Sequence, residues 1–227
     1  MKVVVSIGGS VLVPDLEPDR VTAFARVLQD LDATHDLGVV VGGGTVARDY
    51  ITTARDLGAN EIELDQLGIE VTRLNARLLI AAMDDRAESV PSESYESGHE
   101  AMRRGDVPVL GGTVAGQTTD AVSAAFAEYV DADLLVYATS VPGVFDADPN
   151  VDDSATRFDS LTAGELVDVV ADLEMNAGSN APVDLLAAKL IQRSGLRSIV
   201  LDGTEPERVA RAVAGDHEGT EIVPAGD

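Results

Sequence analysis

The chain has 227 residues, 45% of them hydrophobic, and 40 acidic against 16 Lys and Arg side chains give a formal net charge of −24. That length buries a full core as one domain, and the absence of cysteine excludes a disulfide framework, cysteine zinc sites and a thiol nucleophile. So acidic a chain repels nucleic acid and anionic lipid, and no apolar run approaches the ~18 residues of a membrane span, so neither partner is expected.

The first predicted strand is Lys2–Ile7, an apolar stretch too short for a signal peptide, and it ends in Gly8-Gly9-Ser10. A reducing cytoplasm is the expected setting. Helical spacing follows over Asp19–Leu31, with Val21, Phe24, Val27, Leu28 and Leu31 on one face. The short apolar run Leu37–Val41 suits a strand covered on both faces, and it stops at Gly42-Gly43-Gly44. Helices are predicted over Thr45–Leu57 and Glu61–Met83, a strand over Ala87–Val90, and a helix over Glu93–Arg104. Val107–Leu110 is the next strand, and Gly111-Gly112-Thr113 closes it. A helix over Thr119–Val130 carries Asp120 in its first turn, and the buried strand Asp133–Ala138 ends at Thr139-Ser140. Beyond a Pro-, Gly- and Asp-rich loop come helices over Leu161–Asp172 and Pro182–Ser194, a strand over Ser198–Leu201, a helix over Pro206–Ala214 and a strand over Thr220–Val223.

Alternation of strands with helices implies crossover connections and a mainly parallel, doubly wound sheet. The stretch Val141–Asp159 is the natural division between two lobes, about 1–135 and about 136–227. Four strand ends carry glycine or hydroxyl clusters, and the carboxyl ends of parallel strands are where open α/β sheets bind ligands. Glycine admits close backbone approach, and the helix that follows aims free N–H groups at phosphate. No Walker lysine motif and no dinucleotide fingerprint follows the first strand. His35, His99 and His217 have no metal-ligand spacing and read as surface residues.

The order of Ile7-Gly8-Gly9-Ser10, Val41–Arg48, Gly111–Asp120 and Thr139–Pro149 resembles the amino acid kinase family, and within it the archaeal type of uridylate (UMP) kinase. The resemblance runs nearly end to end. It implies a three-layer α/β sandwich and ATP-dependent phosphorylation of UMP to UDP, with magnesium carried on ATP. It places Gly9, Ser10, Gly44 and Arg48 at the ATP phosphates and Thr139, Phe145 and Asp148 around the adenine and ribose of ATP. It places Gly43, Asp65 and the run Thr113, Val114, Ala115, Gly116, Gln117, Thr118 and Thr119 at UMP, with Asp65 on the ribose hydroxyls. It also implies a homohexamer built as a trimer of dimers.

Elementary chemistry agrees with this arrangement. The acceptor phosphate is already ionised, so positioning and charge stabilisation matter more than a strong base. Arg48, one turn into its helix, offers a planar fork of donors to phosphate oxygens, and Asp120 is expected to orient donors or hold magnesium through water. Bland readings stand beside these: Arg48 as a surface arginine, Asp65 and Asp120 as helix caps, Phe145 as core filler. The chain departs from the resemblance at Ser6, where many members carry lysine, and at Ser140 and Pro142, where Asn and an acid are common. Arg48 and magnesium are the remaining candidates for the charge that drives transfer; Lys189 reads as structural. A carboxylate or isopentenyl phosphate acceptor, or nucleotide binding without turnover, are the alternatives. The dispersed acids read as a solvated surface suited to molar salt, which screens charge within ~3 Å; a halophilic protein is the expectation, with an ordinary acidic mesophile protein as the alternative.

Overall fold

The computed structural model describes residues 1–149, 151–175 and 182–224. In chain order the elements are β1 (Lys2–Ile7), α1 (Gly9–Leu12), α2 (Pro18–Asp32), β2 (Asp36–Val41), α3 (Gly44–Asp56), α4 (Glu61–Ala82), α5 (Tyr95–Arg104) and β3 (Val109–Leu110). There follow α6 (Thr119–Tyr129), β4 (Leu134–Thr139), β5 (Ser160–Thr162), α7 (Ala163–Met175), α8 (Leu185–Ser194), β6 (Ser198–Asp202), α9 (Glu207–Val213) and β7 (Thr220–Val223).

The strands form one sheet in the order β3-β2-β1-β4-β6-β7-β5. Neighbours pair in parallel except β6 with β7, which are antiparallel. The apolar residues of β1 divide between two cores because successive side chains of a strand point to opposite faces. Val3, Val5 and Ile7 join Phe24 and Leu28 of α2, Leu79 of α4 and Val209 of α9. Val4 joins Val122 and Phe126 of α6, Val170 of α7 and Ile191 of α8. Helices thus cover both faces, and the three-layer α/β sandwich with a mainly parallel central sheet is as expected. The fully buried Phe24, Phe126 and Tyr137 each contribute roughly 1.5–3 kcal/mol by leaving water.

The differences from the sequence reading lie at element ends, and each has a local cause. Ala87–Val90 is not a strand: Ala87 alone bridges to Val107, after a turn closed by the Arg86 amide donating to Asp84 Oδ1 at 3.0 Å. The strand expected over Val107–Leu110 shrinks to Val109–Leu110, because Pro108 has no N–H to add to a ladder. Leu161 is not helical but sits in β5. There the Thr162 amide donates to Glu165 Oε2 at 2.7 Å, and the Glu165 amide donates back to Thr162 Oγ1 at 3.2 Å. That reciprocal pair is a capping box, and α7 starts after it. Likewise Asp184, whose Oδ1 accepts from the Ala187 amide at 3.0 Å, caps α8 two residues later than Pro182. The short α1 was not foreseen. His35, His99 and His217 are half-buried rather than exposed.

Candidate active site

The parallel register brings the ends of β1, β2, β3 and β4 to one edge of the sheet, and with them all four glycine and hydroxyl clusters. The Gly42 amide donates to the Ile7 carbonyl, and the Gly8 amide donates to the Ala138 carbonyl, each at 2.9 Å. The loops after β1 and β2 then pack backbone on backbone. A Cβ on Gly9 would stand 2.5 Å from the Gly42 carbonyl oxygen and closer still to the Gly44 amide nitrogen. Gly44 itself has φ +66°, a conformation that disfavours any side chain. The close approach that glycine permits here is therefore first between the two loops, and only through them toward a ligand.

Helix α4 supports both loops from beneath. Asn60 and Glu63 form its capping box, so Asp65 lies inside the helix and does not cap it. The buried Asn75 donates its amide to the carbonyls of Gly42 and Gly43 at 2.9 and 3.2 Å. Thr72 Oγ1 accepts from the Gly112 amide at 2.6 Å, and Arg73 Nε donates to the Gly112 carbonyl at 3.4 Å. One helical face higher, Asp65 Oδ2 accepts from the Gly116 amide at 2.7 Å. The segment Thr113–Thr119 is thus fastened to α4 through Asp65, and beside it opens a groove of about 630 Å³ lined by Gln66, Ile69, Arg73, Thr113 and Ala115.

Arg48 sits in the first turns of α3 with an exposed side chain. Its guanidinium donates to Ser10 Oγ and Thr45 Oγ1, both at 3.1 Å, and among the described residues it makes no ion pair. It lines a cleft of about 420 Å³ together with Thr139, Ser140, Phe145, Asp148, Leu173 and Pro182. Thr139 Oγ1 accepts from the Val141 amide at 3.1 Å and so turns the loop after β4. Phe145 is half-buried at the wall of this cleft and Asp148 is buried. Phe145 is therefore not core filler.

Asp120 lies in the first turn of α6, whose cap is Thr118. Burial, with the nearby Asp184 carboxylate in second place, pushes the Asp120 carboxyl up to about 7. Thr118 Oγ1 donates to Asp184, and Tyr137, raised well above its ordinary range by burial, donates its phenol to the Asp120 carbonyl at 2.9 Å. A neighbouring cation would have lowered the Asp120 value, and among the described residues none does so; Ser6 is buried with its Oγ accepting from Ser123 Oγ at 2.9 Å. Lys2 lies at the far end of β1, and Lys189 is exposed on α8. Among the described residues no group of three or more His, Cys, Asp or Glu is placed to hold a metal. Asp120 and Asp184, near enough for one charge to act on the other, are the carboxylates that would meet a magnesium ion carried on phosphates.

The structure brings together Gly9, Ser10, Gly43, Gly44, Arg48, Thr139, Phe145 and Asp148 along one sheet edge, with Asp65 and Thr113–Thr119 beside them. Val114 is half exposed and Gly116 has φ +84°, as a loop crest requires. The sequence reading missed Thr72, Arg73 and Asn75, which lie four residues or fewer apart in the part of α4 facing the glycine loops. Helix α4 carries charged and polar residues along most of its length, so its spacing did not mark these three. It also missed Asp184. A third cavity of about 300 Å³, behind Pro142 and lined by Arg157, Arg208 and His217, contains none of the expected site residues.

Comparison with known proteins bears on this arrangement. Residues 1–202 match the model of the amino acid kinase family. A uridylate kinase of Haloarcula marismortui is 74% identical over 226 residues, covering 99% of each chain. One of Halobacterium salinarum is 68% identical, covering 100% of this chain and 95% of the relative. The crystal structure of a uridylate kinase from Archaeoglobus fulgidus superposes with a TM-score of 0.90 at 43% identity, over 98% of this chain and 100% of that one.

The Asp120 environment makes a testable statement about pH. The folded protein holds this proton to higher pH than the unfolded chain, whose carboxyl titrates near 3.8. Its contribution is full below that value and is lost as pH rises through about 7. Asp120→Asn, which cannot ionise, should gain on the native protein between about pH 5 and about pH 8. Urea midpoints at the two pH values check it; an equal shift at both contradicts it.

Proposed function

The chain belongs to the amino acid kinase family, and from that premise we propose that it is an ATP-dependent UMP kinase that makes UDP for pyrimidine nucleotide synthesis. The observation that carries this reading is the pair of openings, one of 420 Å³ lined by Arg48, Thr139 and Phe145 and one of 630 Å³ lined by Arg73, Thr113 and Ala115, with Arg48 bonded to Ser10 next to the glycine seam. ATP occupies the smaller cleft, its phosphates along Gly9, Ser10, Gly44 and Arg48 and its adenosine among Thr139, Phe145 and Asp148. UMP occupies the other side, against Gly43, Asp65 and Thr113–Thr119. Residues 1–135 then form the acceptor lobe and 136–227 the donor lobe.

Transfer between two phosphates needs alignment and charge more than a base. The Arg48 guanidinium faces the γ-phosphoryl group and stabilises it in transit. Asp65 keeps Oδ1 for the ribose hydroxyls while Oδ2 holds the loop. Magnesium bound with ATP would neutralise phosphate charge, and Asp120 is the residue that would help hold it. Ser6 leaves no lysine to share that task, so Arg48 carries more of it.

Purified protein at molar KCl should phosphorylate UMP in preference to CMP, dUMP, N-acetylglutamate and isopentenyl phosphate in a coupled ADP-release assay. Another preferred acceptor would overturn the substrate, and ATP binding without turnover would overturn the activity. Arg48→Ala should lower kcat by at least ~10²-fold; a near-native rate would remove its role.

We also propose a homohexamer in a halophilic cytoplasm. Two of the relatives named above, from Haloarcula and Halobacterium, are haloarchaeal, and −24 net charge suits a salty solvent. Leu74 and Leu78, one turn apart on α4, are both exposed, an apolar pair of the kind a second copy covers. Leu74→Glu with Leu78→Glu should reduce the assembly to a smaller species in light scattering, whereas a native monomer would exclude the assembly.

A further inference from the structure

We propose that Tyr95 is a positioning residue that selects the base of the acceptor by locking the carboxamide of Gln117; this rests on the reading that UMP is the acceptor. The Tyr95 phenol donates to Gln117 Oε1 at 3.0 Å and accepts from Thr113 Oγ1 at the long limit of 3.5 Å. It therefore spans the acceptor loop from its third strand-end residue to the residue before the α6 cap. With Oε1 engaged, the amide nitrogen of Gln117 is the face left for a ligand, and among the described residues it has no hydrogen-bond partner.

A free carboxamide is indifferent between the two pyrimidines. It can turn its nitrogen to the 4-oxo group of uracil or its oxygen to the 4-amino group of cytosine. The Thr113 hydroxyl donates to the phenol oxygen, which leaves the phenol O–H as the donor toward Gln117, and a carboxamide held by its oxygen offers only the donor. Against the 4-position of the base, that donor matches uracil and opposes cytosine.

The handle itself is rigid. Tyr95 follows the Ser94 cap of α5, and its ring stacks on Phe126 with centroids 6.5 Å apart and planes 27° from parallel. Phe126 is fully buried between Gly38 and Gly98, where a Cβ would stand 2.7 and 2.9 Å from its ring. The phenol is thus fixed by the core, and it transmits that fixity to the Gln117 carboxamide.

Tyr95→Phe removes the hydroxyl and keeps the ring stack. The native protein and the variant are to be compared with UMP and CMP as acceptors at molar KCl. The expected result is a ~10-fold fall in the ratio of kcat/KM for UMP to that for CMP, with kcat for UMP and the melting temperature close to native. Gln117→Leu should lower the ratio similarly, and Tyr95→Phe should add nothing in that background. If Tyr95→Phe lowers both substrates equally, or leaves the ratio at the native value, Tyr95 is structural and the inference falls while the UMP assignment stands. If the native protein does not prefer UMP, the assignment falls and this inference with it.

Discussion

The contact on which the site depends is the one between two pieces of bare backbone, Gly9 after β1 and Gly42–Gly44 after β2. A single methyl group on Gly9 has no room there. The geometry makes donor and acceptor sides parts of one object. Gly9 and Gly44 face the proposed ATP phosphates, Gly43 the proposed UMP, and the three cannot move independently. A phosphoryl group crossing a few ångströms gains most from alignment, so a seam with no side chains to relax is a fitting floor for it.

Helix α4 fixes the acceptor side to the same floor. Asn75 grips the carbonyls of Gly42 and Gly43, and ten residues earlier Asp65 holds Gly116. One rigid helix thus relates the loop over the acceptor to the loop under the transferred group. The electrostatics are less symmetrical. Arg48 and Arg73 line the two openings, while Asp120, beside the Asp184 carboxylate, has no cationic neighbour among the described residues. Such a carboxyl favours a proton.

The fold was legible because its signals are strong and redundant. Runs such as Val39–Val41 stop at glycines, amphipathic α2 has its apolar face in register, and the alternation of elements leaves little choice of topology. Where the reading slipped, a single short interaction decided the matter: Pro108 truncating β3, or Thr162 and Glu165 capping α7 beyond a three-residue strand. The glycine clusters were correctly placed at one edge, yet their reason was incomplete, since loop-on-loop packing is a tertiary fact that no spacing reveals. The supporting residues were invisible for a similar cause. Thr72 and Asn75 read as ordinary helix positions until the carbonyls and amides they satisfy are brought above them, and Tyr95 acquires meaning only when Gln117 arrives from 22 residues away.

The central claim, that one backbone seam organises both substrate sides, is tested most directly by calorimetric titration of Gly9→Ala with a non-hydrolysable ATP analogue and, separately, with UMP. The account predicts that both affinities fall together while the far-ultraviolet spectrum remains native. A loss confined to the ATP analogue, with UMP bound as tightly as by the native protein, would contradict it.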